Sequence, residues 1–245
     1  ELLARTTQIV RAAEVRAKSA FDLVPRARVN VLREPAFTEQ TAAAHYSDPA
    51  PDGSRSGIFW YPLPGPKFGV ISMRSLSYHE AVPGHHFQLA IQQESRDLPR
   101  YRKLGAYGFI SAYGEGWALY AERLADENGW YNGDPKGRIG YLESMHYRAQ
   151  RLVADTGLHA KKWTREQVIE YGFSRQEAER YIVWPGQATS YMIGQLRLVE
   201  LREKARADLG AKFSIKSFHN LVLGLGNVPL SVVGEELDAW IAAQR

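Results

Sequence analysis

Apolar and polar positions along this chain fall into three regimes. Residues 1–24 hold no Gly or Pro and are rich in Ala and Arg, so they read as helix to about residue 20. From Pro25 to Met73 the pattern shortens. Runs of β-branched and aromatic residues at 29–32, 58–61 and 68–72 are broken by Pro, Gly and an Asp-Gly step. Residues 45–56, rich in Pro, Asp, Gly and Ser, read as a loop. After Gly84 the apolar positions recur at helical spacing. Helices are expected over 85–95, over 109–128 with Gly129 as the stop, and over 139–155. Thr164-Arg165-Glu166-Gln167 and Ser174-Arg175-Gln176-Glu177 are capping-box patterns that each start a short helix. Further helices are expected over 187–209, ended by Gly210, and over 214–223 and 229–243. The sum is a mainly α protein with a small β element just before residue 79. It divides into an N-terminal helix (1–24), a β-containing segment (25–78) and a helical region (79–245).

Composition narrows the chemistry. A chain of 245 residues can bury a sizeable core. Its net charge is +4 and its basic residues are scattered among acids, so nucleic acid is not an expected partner. No apolar run reaches the roughly 18–20 residues of a membrane span. Cysteine is absent, which excludes disulfides, thiol nucleophiles and Cys-ligated zinc. Any metal must sit on His and carboxylates. The chain opens on Glu1 with helix already under way, and is read as a piece of something longer.

Three of the seven histidines fall within eight residues, in His79-Glu80-Ala81-Val82-Pro83-Gly84-His85-His86. A hydrolytic zinc needs two or three neutral imidazoles or carboxylates, an open position for water, and a carboxylate beside that water. The common solution is His-Glu-x-x-His on one helix face. Here the second His is six residues away, a rotation of about 600° on a regular helix. Pro83 removes a backbone donor and pushes Val82 to extended angles, and Gly84 allows a sharp turn. If Val-Pro-Gly loops out two residues, His79 and His85 regain a four-residue geometry. His86, seven residues on, is the competitor; it lies on the same nominal face but about 10 Å along the axis. His146 and His219 read as structural.

His-Glu-x-x-Pro-Gly-His followed by Glu-Gly-Trp-Ala-Leu-Tyr-x-Glu (residues 115–122) resembles the bacterial domain-of-unknown-function family 885. That family is grouped with the gluzincin metallopeptidases, near angiotensin-converting enzyme, thimet oligopeptidase and carboxypeptidase Taq. The resemblance runs from His45-Tyr46 through Asp52-Gly53-Ser54-Arg55 and Asp155-Thr156-Gly157-Leu158-His159 to Gly194. Members are usually much longer, so this chain resembles their C-terminal, zinc-bearing portion. Many carry export signals, which implies a periplasmic or secreted parent and a missing N-terminal half as partner.

The resemblance implies a gluzincin-like helical peptidase domain. It makes Glu115 the third zinc ligand beside His79 and His85, and Glu122 the carboxylate that holds a ligand imidazole. Glu80 becomes the base that activates water against a peptide bond. Tyr191, in Gly186-Gln187-Ala188-Thr189-Ser190-Tyr191, matches the Tyr that donates to the oxyanion; Gln187 stands where relatives often have a second aromatic. His159 is a second candidate donor. Arg180, Tyr181 and His86 are candidate substrate contacts, Arg180 through a bidentate fork to a peptide carboxylate. His45, Tyr46 and Arg55 are candidates to line the cleft, and residues 67–77 to pair with an extended peptide substrate along a strand edge. Two rival readings stay open. One is a non-catalytic gluzincin-like binding module or inactive fragment; the other is a metal-dependent hydrolase of non-peptide substrates.

Overall fold

The computed structural model describes residues 1–63 and 70–244. Helix α1 (Leu2–Ala17) leads into a three-stranded sheet of β1 (Val29–Arg33), β2 (His45–Ser47) and β3 (Gly57–Tyr61). The strand order is β1-β3-β2. Strand β3 is central because Ile58, Phe59 and Tyr61 are buried on it. It runs parallel to β1 from the pair Val29–Gly57 to Arg33–Tyr61, and antiparallel to β2, with His45 opposite Trp60.

A one-turn helix α2 (Met73–Leu76) runs into a wider π-helical turn, Ser77–Ala81. Then come α3 (His85–Glu94), α4 (Arg100–Lys103), α5 (Ser111–Glu127), α6 (Pro135–Lys161), α7 (Arg165–Glu170), α8 (Arg175–Val183), α9 (Gln187–Leu209), α10 (Ile215–Leu225) and α11 (Leu230–Gln244). The fold is mainly helical, with the small sheet ahead of the histidine-bearing segment. Among the described residues no helix is long and apolar enough to cross a membrane.

Helices α5 and α9 form the centre. They approach closely because Gly116 faces Gly194, and a Cβ on either would collide with the other's backbone. Trp117, Leu119 and Tyr120 of α5 and Leu198 and Leu201 of α9 are buried there. Behind them, His219 donates from Nδ1 to the Ala20 carbonyl (2.8 Å) and accepts at Nε2 from the Tyr120 hydroxyl (2.8 Å). Burial holds this imidazole neutral, its pKa lowered to about 4. A second apolar cluster, Ala154, Val168, Phe173, Ala178, Tyr181 and Ala188, joins α6, α7 and α8 to the start of α9.

Three elements differ from the sequence expectation. Helix α6 begins at Pro135 rather than at 139, because Asp134 caps it, accepting from the Gly137 N–H at 2.9 Å, with Pro at the first turn. It runs on to Lys161 and ends where Lys162 turns left-handed. The loop expected at 45–56 begins as strand β2, which pairs antiparallel with β3. The expected run at 68–72 starts outside the described residues. Its described part turns into α2, so the described part of 67–77 offers no strand edge to a substrate.

Candidate metal centre

The His-Glu segment folds as a turn that no regular helix would give. Val82 N–H reaches back to the Ser77 carbonyl (3.2 Å), an i to i+5 bond, and Val82 is then extended before a cis Val82–Pro83 peptide. Gly84 closes the turn against the His79 carbonyl, where a Cβ would fall inside contact distance of that oxygen. From α5, Trp117 donates its indole N–H to the Pro83 carbonyl (2.9 Å). The extra residues are therefore taken up by the π turn and the Val-Pro-Gly step together.

The result brings His79 and His85 edge-to-face, their ring centres 5.0 Å apart. One turn into α5, Glu115 points between them. Its Oε2 lies 3.4 Å from His79 Nε2 and 3.3 Å from His85 Nε2. Neither approach has hydrogen-bond geometry, and Oε2 is buried without a partner. One ligand atom from each of the three residues lies within 4.8 Å of the others. Three buried donor atoms that converge without bonding one another fit a divalent cation, and a His2Glu set suits zinc. The electrostatics agree in direction. Burial works against the charged form of Glu115, yet the two imidazoles hold its carboxyl well below the usual carboxylate range.

His79 is fixed from behind. Its Nδ1 donates to Glu122 Oε1 at 2.8 Å, which leaves Nε2 facing Glu115. Glu122, 1% exposed, also accepts from Ser75 and from Ser144 (2.7 Å), so both oxygens of the buried carboxylate are bonded. Burial opposes a charge on His79, but Glu115 and Glu122 outweigh it and raise its pKa to about 9.

A cavity of about 580 Å³ opens over the trio, lined also by Glu80, Tyr191, His45, Tyr46 and Arg180. Glu80 is buried, and burial lifts its carboxyl above the ordinary range against the pull of the neighbouring imidazoles. The Tyr191 ring stacks on His79 at 6.1 Å, and its hydroxyl accepts from Gln187 Nε2 at 3.3 Å. Burial, and next the charge of Glu115, raise that phenol's pKa, which keeps its proton available for donation.

Other sequence candidates are not brought to the cavity. His86 donates to the Ala27 carbonyl (3.1 Å) and accepts from the Tyr46 hydroxyl (2.8 Å), which turns it away from the trio. His159 donates to the Tyr181 carbonyl (2.9 Å), and the Tyr181 hydroxyl lies against Arg151 in the second apolar cluster. Arg55 lines a separate surface cleft. Conversely, Arg148 and Arg151 line the cavity and were not anticipated. The available signal was their three-residue step on α6, with Ser144 four residues earlier, which puts all three on one helix face.

The family model described as "Bacterial protein of unknown function (DUF885)" matches residues 1–237. The chain belongs to this family. Among solved structures, it is similar to a candidate lipoprotein from Colwellia psychrerythraea, at 40% identity and a TM-score of 0.91. That match covers 99% of this chain and 43% of the other. A candidate lipoprotein of unknown function from Shewanella oneidensis matches at 25% identity and a TM-score of 0.76, over 96% of this chain and 45% of the other. The chain thus spans less than half the length of either of these two chains. No curated protein matches.

Proposed function

We propose that this member of family 885 is a zinc-dependent peptidase of gluzincin type, with His79, His85 and Glu115 as metal ligands. The observation that carries this reading is the convergence of three buried, mutually unbonded ligand atoms beside a buried carboxylate, Glu80. A structural metal site has no use for that fourth group. When bound, the cation supplies Lewis acidity and lowers the pKa of water. Glu80 takes the proton of the attacking water and returns it to the leaving amine, a role suited to a carboxyl whose pKa lies above the ordinary range. Tyr191 donates to the carbonyl oxygen as negative charge develops there. Glu122 keeps His79 in the tautomer that presents Nε2, and Arg180 contributes charge to the cavity wall.

The lipoprotein description of both solved relatives supports an exported location. Glu80→Gln tests the mechanism. It is expected to retain the metal and to lose peptide cleavage by roughly 10²–10⁴-fold. Full cleavage by that variant refutes the assignment of Glu80, and absence of any bound metal refutes both hydrolase readings.

A further inference from the structure

We propose that the end of the cavity built by α6 and α8 is a carboxylate subsite that selects peptides with a free C-terminus. This rests on the peptidase reading of the metal centre. Three guanidinium groups gather there around Tyr191. The central guanidinium carbons of Arg151 and Arg148 lie 4.9 and 5.8 Å from the ring centre, and Arg180 Nη2 lies 3.4 Å from the hydroxyl. That ring also stacks on His79, at 6.1 Å. One aromatic ring therefore separates the arginines from a metal ligand.

Among the described residues, Glu177 is the one carboxylate within ion-pair distance of these arginines. It lies 3.0 Å from Arg151 and 3.4 Å from Arg180. Within that distance three positive charges face one negative charge; the charge of Glu122 reaches Arg148 from farther off, across the Ser144 hydroxyl that both contact. Arg151 further donates to the Tyr181 hydroxyl and Arg180 to Gln187, so both have much of their donor capacity in use. Arg148 differs. Its one side-chain hydrogen bond runs from Nη1 to Ser144 Oγ (2.8 Å), and its Nε is buried with no partner. A buried donor left unpaired is costly, and native structures keep few of them. A two-oxygen anion satisfies an arginine fork bidentately. Arg148, rather than Arg180, is thus the group with a fork to offer.

The spacing fits a C-terminus. With a scissile carbonyl at the trio, the terminal carboxylate stands one residue further along, roughly 3.5 Å of extended chain. The Tyr191 ring centre is 6.1 Å from that of His79 and 5.8 Å from the Arg148 guanidinium, so the arginine lies no more than about 12 Å from the imidazole, room for one or two such residues. A longer continuation would carry uncharged backbone into a doubly cationic pocket.

The test measures equilibrium binding of one short peptide, as free acid and as C-terminal amide, to zinc-loaded Glu80→Gln protein, with turnover of both peptides by the wild type. The free acid is expected to bind roughly tenfold to a hundredfold tighter. Adding Arg148→Gln is expected to close that gap, and Arg148→Lys to leave part of it. Equal binding of acid and amide, or a gap untouched by Arg148→Gln, overturns the proposal. An amide ending in Glu that binds as well as the free acid moves the ligand to an acidic side chain and overturns C-terminal selection. Equal cleavage of acid and amide leaves the peptidase reading standing without this subsite. Discrimination in binding with no cleavage keeps the subsite and refutes the peptidase reading. The wild-type comparison of acid with amide needs no variant, so it stands even if an Arg148 substitution unfolds the protein.

Discussion

The two walls of the cavity are built in opposite ways. One wall, made of the π turn, α3 and α5, arrives already bonded: His79 is held by Glu122, Glu122 by two serines, and the Pro83 carbonyl by Trp117. The opposite wall, on α6 and α8, carries three guanidiniums for one carboxylate and leaves Arg148 Nε unpaired. On the first wall the groups behind the ligands satisfy one another, whereas Glu115 Oε2, His85 Nδ1 and both amide atoms of Gln88 are buried without a partner. On the second wall the one buried atom without a partner, among the described residues, is a cationic donor, Arg148 Nε, in a cluster with excess positive charge, which suits an anion rather than a cation. Even within the first wall there is a gradient, because His85 Nδ1 is buried without a partner whereas His79 Nδ1 is bonded.

The largest expected effect comes from breaking the first wall at its tightest point. Gly84→Ala drives a Cβ into the His79 carbonyl and is expected to cost about 3 kcal/mol or more, read by urea unfolding, with loss of metal binding. Next is the neutral histidine behind α5. His219 has a pKa of about 4 when folded and about 6.5 when unfolded, so between those values the unfolded chain binds more protons. Its contribution is full above pH 6.5 and is lost as pH falls toward 4, at about 1.4 kcal/mol per pH unit and about 3 kcal/mol in all. His219→Gln should flatten the acid limb of the stability–pH profile by that amount.

Removing the support of His79 has a smaller and more local effect. Glu122→Gln should weaken metal affinity by roughly 10–100-fold in a competitive chelator titration. The smallest effect falls on the second wall. Arg148→Gln should change unfolding free energy by no more than about 1 kcal/mol, because the loss of its hydrogen bond to Ser144 is offset by removal of an unpaired buried donor. A cost as large as that of Gly84→Ala would erase the contrast between the walls.

The first wall was also the more legible. Clustered histidines, a helix-breaking Pro-Gly and a resemblance spanning residues 115–122 singled out the three residues that converge. What the sequence hid there was the mechanism of the detour. A π turn before Pro83 has no residue signature, since nothing in Ser77 to Ala81 marks an i to i+5 pattern. Helix identities on the second wall were visible, but α6 began four residues early, because Asp134-Pro135 went unread as a cap. The face shared by Ser144, Arg148 and Arg151 lay inside the expected helix and was not read as a site. Arginines at helical spacing usually describe a solvated face, and only the packing of α6 against α9 turns this one inward. His159 and Tyr181 sat in motifs as plausible as any other, yet their side chains are used up in joining α6 to α8.

The central claim is that His79, His85 and Glu115 together hold one divalent cation. Its most direct test is an equilibrium zinc titration of the wild type and of Glu115→Ala, with stoichiometry checked by elemental analysis. The account predicts one ion per chain in the wild type and binding weakened at least a hundredfold, about 2.7 kcal/mol, in the variant. A wild type that takes up no zinc, or a Glu115→Ala protein that binds it equally well, would contradict the account.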